Sequence, residues 1–177
     1  MRGANDHMIP GWVAALAISP SGSYLAYGLG CGIVEVAATG QRKKTCALEQ
    51  RRGGIGCITF IDDHEIASGA TDGTVTLSRS PDRWATAQET SRWKTRHKFG
   101  VKIAPIPNSR ELLVASLDRK EISIWQLNSR ALIKELKGLK SGITDISVSH
   151  DGRYVSGTTL SDGTFCGRLT AAKLSEA

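Results

Sequence analysis

The 177-residue sequence predicts an all-β fold made of repeated four-stranded antiparallel units, and three observations carry that reading. The chain is self-similar: "VAALAISPSGSYLAYG" from Val13, "IGCITFIDDHEIASG" from Ile55, "VKIAPIPNSRELLVAS" from Val101 and "ITDISVSHDGRYVSG" from Ile143 repeat one pattern at a period of about forty residues. Within each copy, short alternating runs of apolar and polar residues are separated by turn signals, as the strands of a meander are. No copy carries an apolar stripe at helical spacing for more than a turn or two. The 19 glycines supply the corners that such a fold needs.

Each copy opens with an alternating strand, Val13, Leu16 and Ile18 in the first, which enters a turn rich in Pro, Ser, Asp, Asn and Gly. A short second strand follows. Aligning the copies puts Ile18, Phe60, Ile106 and Val148 in one column and Leu25, Ile66, Leu113 and Val155 in a second. Small-residue corners, "GLGCG", "GATDG", "SLDRK" and "TTLSDG", then lead to third strands, "IVEV", "TVTL", "EISIW" and "TFCGRL". The Asp72-Gly73 pair in "ASGATDGTVTL" is such a corner, because Gly tolerates positive φ and Asp bonds to its own backbone. "QRKKTCAL" (41–48) and "RALIKEL" (130–136) supply a fourth, more polar strand. The second of these also fits a short helix, but its place in the repeat argues strand. "LTAAKLSEA" leaves the last copy a fourth strand that is short, missing or supplied from elsewhere. The copies run approximately over 12–48, 55–95, 101–136 and 143–177, as one domain over 1–177.

This grammar resembles the WD-repeat (β-transducin-like) family of β-propellers from about Trp12 to Leu169, most closely in "ITDISVSHDGRYVSGTTLSDGT". The resemblance implies a partial propeller of about four blades. Because family members are usually seven-bladed, the ring is expected to be incomplete: a fragment, a truncated gene product, or a half-ring whose remaining blades come from flanking sequence or another chain. In the family a blade often ends its third strand in Trp-Asp and opens with Gly-His. Here the Trp position holds Ala37, Ser78, Trp125 and Arg168, and the His position holds Ile9, Arg51, His97 and Leu139. Only the third copy keeps both. The resemblance therefore implies a structural network of His97, Ser116, Asp118 and Trp125 there, with Asp118 one residue further from Trp125 than the family places it. A buried Asp is costly unless its charge and lone pairs are satisfied, which His and Ser can do.

No motif reads as an enzyme signature, and no cofactor or metal site is expected. "SHD" (149–151) lines up Ser, His and Asp, but three consecutive turn residues point apart where a triad must converge. "GLGCG" (28–32) precedes a strand, whereas a phosphate loop precedes a helix. "DDH" (62–64) reads as an exposed turn, since a metal needs three or more converging ligands. Cys31, Cys46, Cys57 and Cys166 make no Cys-x-x-Cys pair and read as reduced thiols. "WVAALAI" (12–18) is too short for a membrane span and lacks the flanks of a signal peptide. The default is a soluble intracellular chain, cytoplasmic or nuclear, with no membrane partner.

Charge is more informative. Of 23 Lys and Arg, fifteen fall in 41–52, 79–98 and 130–140 with only four acidic residues, so these connections and outer strands hold all of the net positive charge and more, the whole chain being +6. A basic rim attracts anionic partners and speeds encounter. The candidate contact residues are Arg42, Lys43, Arg51, Arg52, Arg83, Trp84, Arg92, Trp93, Lys94 and Arg96. The expected function is a non-catalytic interaction platform for other proteins with acidic surfaces. The alternative is binding of RNA or DNA through the segment 79–98, where Trp84, Trp93 and Phe99 interleave with basic residues.

Overall fold

The computed structural model describes residues 12–40, 44–49, 53–161, 163–170 and 175–176. Among them are sixteen strands and no helix, in four antiparallel sheets of four strands each. Blade 1 is β1 (Val13–Ile18), β2 (Tyr24–Leu29), β3 (Ile33–Ala38) and β4 (Lys44–Glu49). Blade 2 is β5 (Ile55–Asp62), β6 (Glu65–Ala70), β7 (Thr74–Arg79) and β8 (Gln88–Lys94). Blade 3 is β9 (Lys102–Pro105), β10 (Glu111–Ala115), β11 (Ile122–Gln126) and β12 (Ala131–Leu136), and blade 4 is β13 (Ile143–Val148), β14 (Tyr154–Thr159), β15 (Thr164–Arg168) and β16 (Ser175–Glu176). Each sheet is a plain meander. The first strands β1, β5, β9 and β13 pack side by side in that order, which makes a propeller of four blades. The fourth strand of the last blade is present but two residues long, paired to Phe165 and Cys166.

Period-two alternation explains the packing. Successive side chains of a strand face opposite ways, so each blade offers one face to the blade before it and the other to the blade after it. Ala26, Val34 and Val36 of blade 1 meet Ile58, Phe60 and Ile66 of blade 2 in one apolar cluster. Ala67, Val75 and Leu77 of blade 2 meet Ile103, Leu112 and Val114 of blade 3 in a second. Leu113, Ile122 and Ile124 of blade 3 meet Ile146, Val155 and Phe165 of blade 4 in a third. Each fully buried Val, Leu, Ile or Phe contributes about 1.5–3 kcal/mol. The core therefore lies between blades, and no single blade owns it.

Turn chemistry repeats as closely. In blades 1 and 4 the amide of Ser19 or Ser149 donates to the carbonyl of Tyr24 or Tyr154, and the serine hydroxyl accepts the tyrosine amide in return. In blade 3 the same bond runs from the Ile106 amide to the Glu111 carbonyl, and Leu112 pairs with Pro105. Pro105 and Leu112, not Ile106 and Leu113, thus stand in the columns of Ile18 and Leu25. The alternation alone could not detect this slip, because β9 is apolar on both faces and "PIP" suits either register. A similar correction applies in blade 4, where Val155 pairs with Gly167, so Gly167 and not Arg168 holds the position of Trp125.

Candidate functional site

The corner of blade 2 closes as its Asp-Gly predicts. The Asp72 carboxylate accepts the Thr74 amide at 3.0 Å, the Gly73 amide donates to the Ala70 carbonyl, and Gly73 has φ +86°. A Cβ there would also collide with the His97 carbonyl, so glycine is required by space as well as by backbone. Asp72 is a turn residue, and its side chain serves its own loop.

Blade 3 uses the same corner differently. Its connection from Leu112 to the paired Trp125 is one residue longer than the Leu25–Ala37 and Ile66–Ser78 equivalents, which accounts for the extra residue between Asp118 and Trp125. Asp118 is exposed at the corner, not buried as the resemblance implied, but it turns one oxygen inward. It accepts the Ser116 hydroxyl at 2.6 Å and the Lys98 amide at 3.0 Å. The buried His97 ring lies 2.7 Å from Ser116 Oγ through Nδ1 and 2.8 Å from Ser123 Oγ through Nε2. Trp125 Nε1 donates to Ser123 Oγ at 2.9 Å. The structure thus brings His97, Ser116, Asp118 and Trp125 together, and adds Ser123, which the sequence reading did not name. The signal was available: in "EISIW" Ser123 shares a strand face with Trp125.

Counting protons orients this chain of bonds. Asp118 accepts, so Ser116 donates to it, and His97 Nδ1–H must then donate to Ser116. For a neutral ring Nε2 is then an acceptor facing the Ser123 hydroxyl, and Ser123 accepts the Trp125 indole N–H. In this arrangement the imidazole is neutral, as its burial favours, and the single Ser123 proton is shared between Nε2 at 2.8 Å and the Val114 carbonyl at 3.1 Å. Burial away from water pushes the His97 pKa down to about 4, and the Asp118 carboxylate only partly opposes this. Burial acts to raise the Asp118 carboxyl, but the Ser116 hydroxyl and the Lys98 and Phe99 amides outweigh it and hold it below the usual range. Such a relay ties the incoming connection 95–100 to β10 and β11. Nothing in it is a nucleophile poised toward a substrate.

The basic contact residues separate into groups. Arg42, Lys43, Arg51 and Arg52 lie outside the described residues. Trp84 is a correction: it is fully buried, edge-on to Phe60 at a centroid distance of 5.9 Å, with its Nε1 donating to the Asp63 carbonyl at 2.8 Å. It belongs to the core between blades 1 and 2 and cannot touch a partner. Trp93 is half-buried against Trp125, and of the three aromatics interleaved with the basic residues Phe99 is the one that stands exposed. Arg92 is paired with Glu89, and Arg96 with Glu135 at 3.6 Å. Arg83 and Lys94 are exposed, with no ion pair among the described residues. Along β8, Asp72, Thr74, Arg92, Trp93 and Lys94 line an open groove of about 410 Å³. Arg92 Nε and Trp93 Nε1 are buried there without acceptors among the described residues.

The three enzyme-like motifs are turns. Ser149 donates to Asp151 at 2.6 Å and accepts the Tyr154 amide, while His150 faces solvent. The Ser149 hydroxyl, followed by the Arg153 amide and guanidinium, holds the Asp151 carboxyl well below the usual range. Asp62 accepts the His64 amide, and Asp63 accepts the Ser21 amide, which pins the turn of blade 2 to that of blade 1. "GLGCG" closes into β3 with the Gly32 amide on the Leu29 carbonyl. Among the described residues no three His, Cys, Asp or Glu converge as metal ligands. Glu65 is an unforeseen tie: buried in blade 2, it pairs with Arg110 of blade 3 and with Arg79 at 3.9 Å.

Residues 130–166 match the family model described as WD domain, G-beta repeat. The match begins at Arg130 ahead of β12 and ends within β15, so the unit in sequence is the outer strand of one blade followed by three strands of the next. No curated protein matches the chain. Propellers of this kind generally bind other proteins as scaffolds and are typically non-catalytic. The chain is thus a four-bladed β-propeller of antiparallel meanders, one repeat of which, at 130–166, matches the WD-repeat model.

Proposed function

We propose that this chain is a non-catalytic interaction platform whose protein partner presents carboxylates to the outer edge of blade 2. The observation that carries this reading is the open groove along β8, with Arg92 and Lys94 in its wall. Arg83 and Arg96 stand exposed in the connections on either side of the strand. Rigid blades hold these side chains at fixed spacing, and binding specificity on such scaffolds lives in strand edges and connecting loops. Rim charges of this sort act mainly on association rate and its salt dependence.

The test is binding of a fluorescent Glu- and Asp-rich peptide to the chain and to a variant with Arg83→Glu, Lys94→Glu and Arg96→Glu. The expected result is at least about a tenfold loss of affinity in the variant, with wild-type binding weakening as salt rises. Equal binding by the two proteins overturns the proposal. A mixed-sequence oligonucleotide measured beside the peptide separates the readings, because preferential oligonucleotide binding with a steep salt slope would transfer the site to nucleic acid.

A further inference from the structure

The large apolar residues of the loops divide by the end of the blades at which they stand. In each meander the connection entering the first strand and the corner between the second and third strands share one end, and the other two turns lie at the opposite end. At that opposite end Trp84, Ile106, Leu127 and Leu169 are all buried. At the entry end Leu139 joins the core, but Phe99 is 65% exposed, Leu117 39% and Leu160 61%.

Backbone contacts set these three residues in succession. The Leu117 amide donates to the Phe99 carbonyl at 3.1 Å, and Leu117 Cδ1 lies over Gly100, 2.9 Å from where a Cβ would stand. The Leu160 amide donates to the Gly142 carbonyl at 2.9 Å, and the Leu117 carbonyl packs against that same Gly142. In blade 2 the equivalent bond joins the Thr71 amide to the Gly54 carbonyl, so the apolar set belongs to blades 3 and 4. Phe99 stands in the connection between blades 2 and 3, and Leu117 is open with blade 4 packed beside it. Neither owes its exposure to an end of the stack.

Charge at this end is one-sided. The segments 94–100, 117–120 and 137–142 carry seven Lys and Arg against Asp118 alone, and the corner of blade 4 adds Asp162 in the sequence. Arg96 and Lys137 share Glu135, and Arg119 pairs with Glu121. Lys98, Lys120 and Lys140 are exposed, and the first two have no ion pair among the described residues. Asp118 is already engaged by the Ser116 hydroxyl and the Lys98 and Phe99 amides.

Apolar side chains beside lysines match the surface of an anionic bilayer, where buried apolar area and attraction to lipid charge add together. They stand at loop tips, and a bilayer receives such tips without a shaped cavity of its own. We infer that the end of blades 3 and 4 bearing Phe99, Leu117 and Leu160 is a docking surface for an anionic lipid bilayer. The three side chains enter the headgroup region, and Lys98, Lys120 and Lys140 lie over the lipid charges. This departs from the expectation of no membrane partner, which rested on span length, because a chain can lie on a bilayer without crossing it. These six residues are separate from the groove along β8, so either reading can fail alone.

Sedimentation with sucrose-loaded vesicles tests the surface. With about 30% phosphatidylserine in phosphatidylcholine the chain is expected to pellet, and with phosphatidylcholine alone to stay in solution. Phe99→Ser with Leu117→Ser, and separately Lys98→Glu with Lys120→Glu, are each expected to weaken partition at least about tenfold. Arg130→Glu with Arg168→Glu makes the same charge change at the opposite end and is expected to bind within about threefold of the wild type. Should the serine pair unfold the chain, Phe99→Trp decides: its added emission is expected to shift to the blue on anionic vesicles and to be quenched by brominated acyl chains. Four outcomes overturn the proposal: no pelleting on anionic vesicles, a serine pair that pellets like the wild type, a loss as large from the opposite end, or emission at position 99 that does not move. A serine pair that loses the Glu- and Asp-rich peptide and keeps the vesicles makes this end a protein site and overturns it too.

Discussion

Blades 2 and 3 build the same corner between their second and third strands but are anchored by opposite means, blade 3 at that corner and blade 2 at the other end of its sheet. In blade 3 a directional relay runs from Trp125 through Ser123, His97 and Ser116 to Asp118, and each member depends on its neighbours. Blade 2 has Ser78 where Trp125 would be, and Asp72 satisfies only its own turn. Its anchor is Trp84, buried on Phe60 from a loop in which Ser80 and Asp82 bind the Trp84 amide and the Thr86 amide. Apolar burial is non-directional, so one large side chain in the right volume can replace a network. A worn signature in a blade therefore need not mean a weak blade.

Truncating each anchor gives the strongest tests of that comparison. Trp84→Ala is expected to cost about 3–5 kcal/mol by urea unfolding, from lost burial and the cavity left behind. A cost no greater than that of an exposed substitution would remove Trp84 from the role. His97→Ala is expected to cost about 3 kcal/mol, because it orphans the Ser116 and Ser123 hydroxyls as well as leaving a void. Acid reads the same residue without a cavity. With the folded-state pKa depressed to about 4 and the unfolded one near 6.5, the unfolded chain binds more protons between these values. Stability is then fully present above about pH 6.5 and falls by about 2 kcal/mol on acidification to pH 5, a loss that His97→Gln abolishes. Asp118, also depressed, adds a further loss only at lower pH. Asp72→Ala should be the mildest change, about 1 kcal/mol, since a single part-buried turn bond is lost. Were Asp72→Ala to cost as much as His97→Ala, the contrast between the two corners would be gone.

What the sequence made legible follows the physics of each feature. The meander and the corners were readable because alternation and Asp-Gly chemistry are local. The register of the third copy was not, since "KIAPIP" offers apolar residues at both parities and only the Ile106–Glu111 bond selects one. Trp84 misled because it sits among Asp, Arg and Thr in a loop. Its burial rests on a left-handed backbone, φ +64°, that turns the ring inward.

The relay itself is best tested at the His97 ring by ¹⁵N-resolved NMR of its two nitrogens as pH is lowered. A protonated Nδ1 and bare Nε2 at neutral pH, with no titration until about pH 4, is the predicted result. A proton on Nε2, or a midpoint near 6.5, would contradict the one-way chain of donors that holds blade 3 together.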